Sequence, residues 1–442
     1  MGVPSARSFA LLACLALAAP AAAAERPAVV VTPGSNQSFR AALQRFADRS
    51  PAPDERRAER FRDALAAALE FSDAFQVLDP KAFLGPAVTR SPGGEDVVCA
   101  DWTPIGADAL IGGGLRVDPR ELAVEFHVWD TARCSGLLRK RYRQAADADP
   151  AAIARRIADD VVEAFLGVRG VASTELAFIS NRNGNSEVWV MNADGSSARP
   201  ATANRSLNAF PSWSPGGDAI LYTSYRYRNR PHLFLTSRAG RRAGRVLPEL
   251  NGSVSQFRGV FDPSGRKLAV VLSGKSAAEI FTVNADGSGL ERLTNHAAID
   301  IAPTWSPDGR RIAFVSDRSG APQVYLMQAD GRDVRRLTYE GTYNTHPAWS
   351  PDGRYIAYES RVGGSFDIWL IDVESGQAWP LVDHPRSDEA PSWAPNSRKI
   401  AFTSTRRGRP DVYVVDVGGA SLRQITQGAG ENRSPAWGPF PR

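Results

Sequence analysis

The hydrophobic and polar positions follow their most regular pattern in one short motif of the second half of the chain. An apolar segment ends at Trp349, the turn residues Ser350-Pro351-Asp352-Gly353 follow, and a second apolar segment begins at Ile356. Proline presets φ in such a turn, the aspartate bonds its own backbone, and glycine closes the turn. β-Branched and aromatic residues favour strands on both sides. The motif therefore predicts a hairpin, which is only marginally stable alone.

The same motif recurs along the chain, and each copy is marked by an aromatic residue at the end of its first strand. These anchors are Trp213, Phe261, Trp305, Trp349, Trp393 and Trp437. Their separations by subtraction are 48, 44, 44, 44 and 44 residues. Each full repeat also contains two further apolar segments divided by a polar turn. Four short strands in each repeat predict the blades of a β-propeller.

The two ends of this array predict how the propeller closes. Residues 175–180 have the pattern of a second strand with no anchor strand before them, whereas residues 435–437 form a lone first strand. Together they make one complete blade, so five full repeats and one composite blade predict six blades over residues 175–442. Sharing a blade between the two ends removes the sheet edges that an open array would expose.

The preceding residues 25–168 have a different pattern, which predicts a compact α+β domain. Asp54 precedes a helical period that includes Phe61, Leu65 and Leu69. The other predicted elements are a strand at 28–32, a helix at 39–46, strands at 75–78, 122–129 and 138–142, a strand at 109–111 ended by Gly112-Gly113-Gly114, and a helix at 151–166. Residues 169–174 are predicted to be a linker. The whole chain is thus expected to be mainly β.

The first 24 residues have the pattern of a secretory signal peptide. Arg7 supplies the positive end, an apolar run follows, and Ala22-Ala23-Ala24 offers a small-residue cleavage site near Ala24. The alternative is a lipoprotein signal, because Leu11-Leu12-Ala13-Cys14 fits a lipobox. Without Cys14, the remaining cysteines Cys99 and Cys134 suggest a disulfide in an exported protein, the alternative being two unpaired buried thiols.

Overall charge and hydropathy exclude several classes of partner. The net charge of +5 becomes +4 without Arg7, which is too small and too dispersed to indicate nucleic-acid binding. The mixed segment Tyr225-Arg226-Tyr227-Arg228-Asn229-Arg230 occupies a turn position, so a solvated turn is favoured there over an RNA site. After the first 24 residues, no stretch approaches the ~18–20 apolar residues of a membrane span. We expect a monomer that does not span a membrane.

The sequence shows no catalytic constellation, and it predicts neither a cofactor nor a metal ion. The motifs Gly-x-Ser-x-Gly, Cys-x-x-Cys and His-Glu-x-x-His do not occur. The segments of the type Asn284-Ala285-Asp286-Gly287 lack the further ligands of a calcium loop and are interpreted as hairpin turns. The histidines are scattered and are interpreted as surface or loop residues: His127, His232, His296, His346 and His384.

One polar position repeats in every blade, five residues before the anchor. The residues at this position are Asn208, Gln256, Asp300, Asn344, Asp388 and Asn432. We predict that they lie in the loops entering the innermost strands, where six loops meet at the mouth of the central channel. Such a ring could bind a peptide, a partner loop or a cation, because loops on a rigid scaffold are where binding sites concentrate. The alternative is that Asn and Asp simply make turns before a strand.

The chain resembles the TolB family of the periplasmic Tol-Pal system. The repeated motif Pro-x-Trp-Ser-Pro-Asp-Gly-Arg-x-Ile-Ala is similar to that of TolB-like propellers. In the first domain, Ser72-Asp73-Ala74-Phe75 and Gly106-Ala107-Asp108-Ala109-Leu110-Ile111 resemble segments of the family. The resemblance implies a non-enzymatic protein whose propeller binds the peptidoglycan-associated lipoprotein Pal, with contacts at the channel-mouth positions, and which supports outer-membrane integrity and cell division.

The resemblance leaves two questions open. The family's extreme N-terminus binds TolA, but here Glu25-Arg26-Pro27 leads almost at once into an apolar segment, which makes this contact doubtful. The alternative function is a TolB-like propeller that binds peptide or carbohydrate for another exported system. A peptidase or glycan lyase is the enzymatic alternative, and it predicts a cluster of His, Asp or Glu inside the channel.

Overall fold

The computed structural model describes residues 38–240, 243–250, 254–274 and 277–442. The predicted signal peptide, its cleavage site and the predicted strand at 28–32 lie outside the described residues. Within those ranges, the structure contains no helix that is both long and apolar enough to cross a membrane.

The first domain folds as an α+β unit in which a mixed sheet packs against two helices. Its elements are β1 (Phe39–Leu43), β2 (Ala47–Asp48), α1 (Glu55–Phe71), β3 (Phe75–Val77), β4 (Ala109–Val117), β5 (Glu121–Asp130), β6 (Ser135–Ala145) and α2 (Pro150–Leu166). The strand order is β3-β1-β4-β5-β6, with β2 also paired to β4. Strand β1 is parallel to both of its neighbours, whereas β4, β5 and β6 form an antiparallel meander.

Both predicted long helices are confirmed, and their ends follow from local chemistry. The Asp54 side chain accepts a hydrogen bond from the Arg56 backbone N–H at 3.0 Å and caps α1. Asp149 caps α2 in the same way, and Pro150 occupies its first turn, where a missing N–H costs nothing. Gly167 ends α2 in the left-handed region, at φ 69°. Each helix buries its apolar face in the common core.

Two local predictions for the first domain are wrong. The predicted helix at 39–46 is strand β1, because a short apolar run fits either period and the pairing with β3 and β4 decides. Strand β4 does not end at Gly112 but continues to Val117. A Cβ on Gly113 would lie 2.3 Å from the Glu125 carbonyl oxygen, so glycine permits a close approach within the sheet.

Cys99 and Cys134, which the sequence offers as a pair, form a disulfide in the first domain. Their Cα atoms are 5.7 Å apart. Cys134 lies between β5 and β6, and Cys99 begins a short 3₁₀ turn. The bond therefore ties the irregular segment before β4 to the far edge of the sheet.

The second domain is a six-bladed β-propeller, as predicted, and each blade is a four-stranded antiparallel sheet. Blade 6 begins the domain with β7 (Glu175–Ser180), β8 (Glu187–Asn192) and β9 (Arg199–Pro200). Blade 1 contains β10 (Asn208–Trp213), β11 (Ala219–Tyr227), β12 (Arg230–Ser237) and β13 (Ala243–Arg245). Blade 2 contains β14 (Ser255–Phe261), β15 (Lys267–Ser273), β16 (Glu279–Asn284) and β17 (Glu291–Arg292).

The remaining strands complete the ring. Blade 3 contains β18 (Asp300–Trp305), β19 (Arg311–Ser316), β20 (Gln323–Gln328) and β21 (Arg335–Arg336). Blade 4 contains β22 (Asn344–Trp349), β23 (Tyr355–Val362), β24 (Ser365–Asp372) and β25 (Ala378–Val382). Blade 5 contains β26 (Asp388–Trp393), β27 (Lys399–Ser404), β28 (Asp411–Asp416) and β29 (Leu422–Gln424). The last strand, β30 (Asn432–Trp437), pairs with β7 and completes blade 6.

The antiparallel order gives the propeller two distinct faces. The mouth face carries the hairpins between second and third strands and the loops that enter the first strands, whose described residues are 201–207, 246–250, 254, 293–299, 337–343, 383–387 and 425–431. The domain face carries the turns between first and second strands and between third and fourth strands. Here Asp73 of the first domain contacts Lys399, and it accepts hydrogen bonds from Ser421 and Arg423 at 2.8 and 2.7 Å. These contacts place the first domain against the domain face, at blade 5.

Candidate functional site

The six polar residues predicted for the loops of the channel mouth lie instead at the beginning of the first strands of the blades. Five of them are the first residues of their strands, and Gln256 is the second residue of β14. All six are buried. The prediction that they lie in loops is therefore wrong, since each side chain is enclosed between blades and directed toward protein partners.

The two aspartates at this position form buried ion pairs within their own blades. Arg318 donates to both carboxylate oxygens of Asp300 at 3.0 and 2.8 Å. Arg406 does the same for Asp388 at 3.2 and 3.0 Å. Burial raises the pKa of Asp388, although a hydrogen bond from Ser404 and the Arg406 guanidinium act in the opposite direction. Each pair fixes the hairpin that carries its arginine to the start of a first strand.

The three asparagines at this position join neighbouring blades instead. The side-chain amide of Asn208 donates to Glu187 at 2.9 Å, that of Asn344 to Gln323 at 2.7 Å, and that of Asn432 to Asp411 at 2.8 Å. Gln256 donates to the carbonyl oxygen of Pro248 at 2.9 Å. Buried polar groups need such partners, because an unpaired group would keep its desolvation cost. The six residues therefore position the mouth-face loops from beneath.

A β-bulge follows two residues further along every first strand and shapes the central channel. The residues at this position have φ between 49° and 53°, which is uncommon outside glycine: Phe210, Arg258, Ala302, His346, Ala390 and Ser434. The strand register shifts at each of these points. All six line a channel cavity of about 390 Å³, and proline follows five of them.

Three of the residues in and around this channel form a charged cluster on the propeller axis. The Arg258 guanidinium contacts His346 Nε2 and lies over the Phe210 ring, with Cζ 4.1 Å from the ring centroid. His346 Nδ1 lies 2.8 Å from a carboxylate oxygen of Glu359. The same oxygen accepts a hydrogen bond from the Ala390 backbone N–H at 2.5 Å. The cluster thus spans from blade 2 to blade 4 and reaches blade 5.

The electrostatics of the cluster favour a neutral imidazole between two charged groups. Burial lowers the pKa of His346, and the nearby Arg258 charge lowers it further. Burial also lowers the pKa of Arg258, to about 10, so this guanidinium stays charged at neutral pH. For Glu359, burial acts to raise the pKa, but His346, the Ala390 N–H and Arg258 together lower it. Glu359 is therefore ionised and compensates the charge of Arg258.

The predicted interpretation of the histidines as surface or loop residues is wrong for three of them. His127 and His232 are buried in β5 and β12, and His346 lines the channel. Within the described ranges, no group of three or more His, Cys, Asp or Glu side chains is arranged to hold a metal ion. The two ring nitrogens of His346 lie close to charged protein groups, Nε2 to Arg258 and Nδ1 to Glu359.

The mouth face exposes apolar side chains directly above the buried polar residues. Leu207, Ile299 and Tyr343 each precede one of those residues in the chain, and their exposed fractions are 52%, 46% and 39%. The sequence analysis did not identify these residues. A signal was present, because an apolar residue that immediately precedes a polar residue fixed inside the blade points outward. Tyr343 also packs edge-on against Phe366 at a centroid distance of 5.7 Å.

Two family profiles match this chain in the order of its two domains. The profile described as "TolB amino-terminal domain" matches residues 27–137, and the profile described as "TolB beta propeller domain" matches residues 162–441.

The chain belongs to the TolB family.

Curated relatives of this TolB-family chain support the same assignment. It is 37% identical to the Tol-Pal system protein TolB of Anaeromyxobacter dehalogenans strain 2CP-C. The alignment of 300 residues covers 68% of this chain and 67% of that relative. The chain is 35% identical over 247 residues to the protein of the same name from Desulfosudis oleivorans, covering 55% and 54% of the two chains. The crystal structure of TolB from Acinetobacter baumannii matches with a TM-score of 0.77 and 21% identity, covering 91% of this chain and 97% of that one. This last match shows the shared fold.

Proposed function

We propose that this TolB-family chain is a non-catalytic periplasmic scaffold of the Tol-Pal system whose mouth face binds a Pal-type lipoprotein. Its proposed roles are support of outer-membrane integrity and of cell division. Membership of the TolB family and the names of its curated relatives support the Tol-Pal assignment. The binding assignment is argued from the mouth face.

The exposed apolar side chains above the buried polar residues are the observation that carries this proposal. Leu207, Ile299 and Tyr343 stand on loops whose bases are fixed by buried hydrogen bonds and ion pairs. A partner that covers them loses little additional conformational entropy, because the loops are already held in place. Aromatic anchors such as Tyr343 are typical of the residues that contribute most to protein–protein affinity. Because these side chains are exposed, a folded partner can reach them.

The Tyr343→Ala and Ile299→Ala variants test this proposal against the anchorless Pal-type domain from the same genome. We expect Tyr343→Ala to weaken the affinity about tenfold, as the loss of a central aromatic anchor does. Leu290→Ala is the matched control, since Leu290 is 39% exposed but lies in the turn between β16 and β17 on the domain face. Isothermal titration calorimetry measures the affinities of wild type and the three variants, and circular dichroism verifies that the variants are folded. Equal affinities for wild type and the mouth-face variants would place the partner elsewhere, and no binding by wild type would reject the proposal.

A further inference from the structure

Two hairpins on opposite sides of the channel are paired as β-ribbons almost to their tips. Strands β11 and β12 of blade 1 have nine and eight residues, and β23 and β24 of blade 4 have eight each. The equivalent strands of blades 3, 5 and 6 have six. All these hairpins span nearly the same length of chain, for example 219–237 in blade 1, 355–372 in blade 4 and 311–328 in blade 3, so they differ in strand pairing and not in reach. Since blades 1 and 4 are half a turn apart, two regular β-ribbons lie on opposite sides of the channel mouth.

The hairpin of blade 1 is strongly basic at its tip. Arg226, Arg228 and Arg230 are exposed there. Arg226 lies over the Phe234 ring at 4.1 Å, and Arg228 pairs with Glu249 at 2.6 Å, so the tip holds its charges on an ordered β-ribbon. The solvated turn predicted over residues 225–230 is limited to Arg228 and Asn229, at φ 51° and 54°, because the flanking residues belong to β11 and β12.

The basic character extends over the whole mouth face. Among the described residues of its loops and hairpins, eight arginines and four carboxylates are exposed. The turns of the domain face show the reverse among the described residues, with five exposed arginines and eight exposed carboxylates. Arg241 and Arg242, which precede β13 in the chain, and Lys275, which follows β15, are outside these counts. The excess of positive charge therefore belongs to the face that carries the exposed apolar residues.

We propose that the mouth face recognises an acidic protein surface, which places apolar side chains on Ile299 and Tyr343. This inference rests on the proposed function and adds the chemistry of the partner. Ile299 and Tyr343 stand on loops fixed from beneath, and such separate apolar anchors suit the side chains of a protein surface better than a flat anionic headgroup layer. The arginines surround the apolar residues, so they would steer an acidic partner into place and contribute mainly to its association rate.

The test compares two triple variants in binding to the anchorless Pal-type domain. Arg226→Gln, Arg228→Gln and Arg230→Gln neutralise the blade 1 hairpin. Arg310→Gln, Arg332→Gln and Arg354→Gln neutralise three exposed arginines of the domain face as the matched control. Titrations at about 50 and 300 mM NaCl span the range in which exposed charges become screened.

We expect wild type and the control variant to lose about tenfold in affinity between the two salt concentrations. The hairpin variant should bind about tenfold more weakly than wild type at low salt, and its affinity should depend little on salt. Tight binding whose affinity changes neither with salt concentration nor in the hairpin variant would overturn the acidic-partner inference and leave the proposed function standing. No binding by wild type at either salt would instead reject the proposed function. A third experiment measures sedimentation of the protein with phosphatidylglycerol vesicles. If vesicle binding depends on the hairpin arginines and binding of the Pal-type domain does not, the face would be assigned to a membrane and the inference would be overturned.

Discussion

At the scale of single residues, charge pairing explains why the repeated polar position is buried. Asp300 and Asp388 each accept two hydrogen bonds from an arginine on the hairpin of the same blade. An isolated buried carboxylate would be costly, whereas a paired one fixes two segments relative to each other. The mouth-face arginines thus fall into two classes: those that hold the blade and those that remain exposed for a partner.

Removing one arginine from each class should separate these roles. Arg406→Ala leaves Asp388 buried without its charge partner, and we expect a loss of about 3–5 kcal/mol in the free energy of unfolding. Arg407→Ala removes the exposed neighbour and should change stability by less than about 0.5 kcal/mol. Urea denaturation measures both values. Similar losses for the two variants would show that the Asp388 pair is not what holds the hairpin.

At the scale of elements, the junction between α2 and β7 is held by one buried carboxylate. Asp159 of α2 accepts hydrogen bonds from the backbone N–H groups of Ala172 and Ser173 at 2.6 and 3.0 Å, and it also contacts the Ser173 hydroxyl. Gly170 passes close to the same side chain, because a Cβ there would lie 2.6 Å from the carboxylate. This contact restrains a linker that the sequence suggested only by its glycines.

Titration of Asp159 should make the stability of the chain depend on pH. Burial raises the pKa of Asp159 from 3.8 to about 6, despite the opposing hydrogen bonds from Ser173 and Ala172. The folded state therefore binds the proton more tightly, so this stabilisation is complete below pH 3.8 and is lost as the pH rises through about 6. Relative to Asp159→Asn, which cannot titrate, wild type should lose about 2 kcal/mol of unfolding free energy between pH 4 and pH 7. Urea denaturation across this range gives the difference, and a constant or rising difference would contradict the assignment.

At the scale of the whole molecule, a shared core and several ionic contacts, among them that of Asp73 with Lys399, join the two domains. The hydrophobic core of the first domain continues into residues of blades 5 and 6, including Trp437. Trp437 also donates a hydrogen bond to Thr174 at 2.8 Å, next to the strand pair that closes the ring. Lys399 is almost fully buried at this interface, where it meets Asp73. Closure of the propeller and docking of the first domain are therefore coupled.

Breaking this ionic contact from one side should be more harmful than removing it altogether. Asp73→Ala leaves the Lys399 ammonium buried without its partner, and we expect a cost of about 3–5 kcal/mol. Adding Lys399→Met should recover at least half of that loss, because the buried charge is then gone. Differential scanning calorimetry of the full chain compares wild type, the single variant and the double variant. A double variant less stable than Asp73→Ala would show that Lys399 stabilises the interface independently of Asp73.

Repetition and local turn chemistry made much of this fold predictable. The spacing from Trp213 to Trp437 predicts six blades and the composite blade, because each repeat buries its apolar face only against its neighbours. Asp54 and Pro150 mark helix starts by local hydrogen bonding alone. In contrast, the run from Phe39 fits two periods, and its strand conformation depends on partners at Phe75 and Ala109, far along the chain.

The sequence by itself determined the domain order, the number of blades and the repeated polar position, since all of these depend on spacing within a repeat. Only the tertiary structure decided where those polar side chains lie, because burial depends on the packing of neighbouring blades. It also brought together Arg258 and His346, which are 88 residues apart and meet only because the ring closes around a common axis. The charge of the mouth face has the same origin: arginines scattered along the chain become one surface when every blade presents its entering loop on the same side.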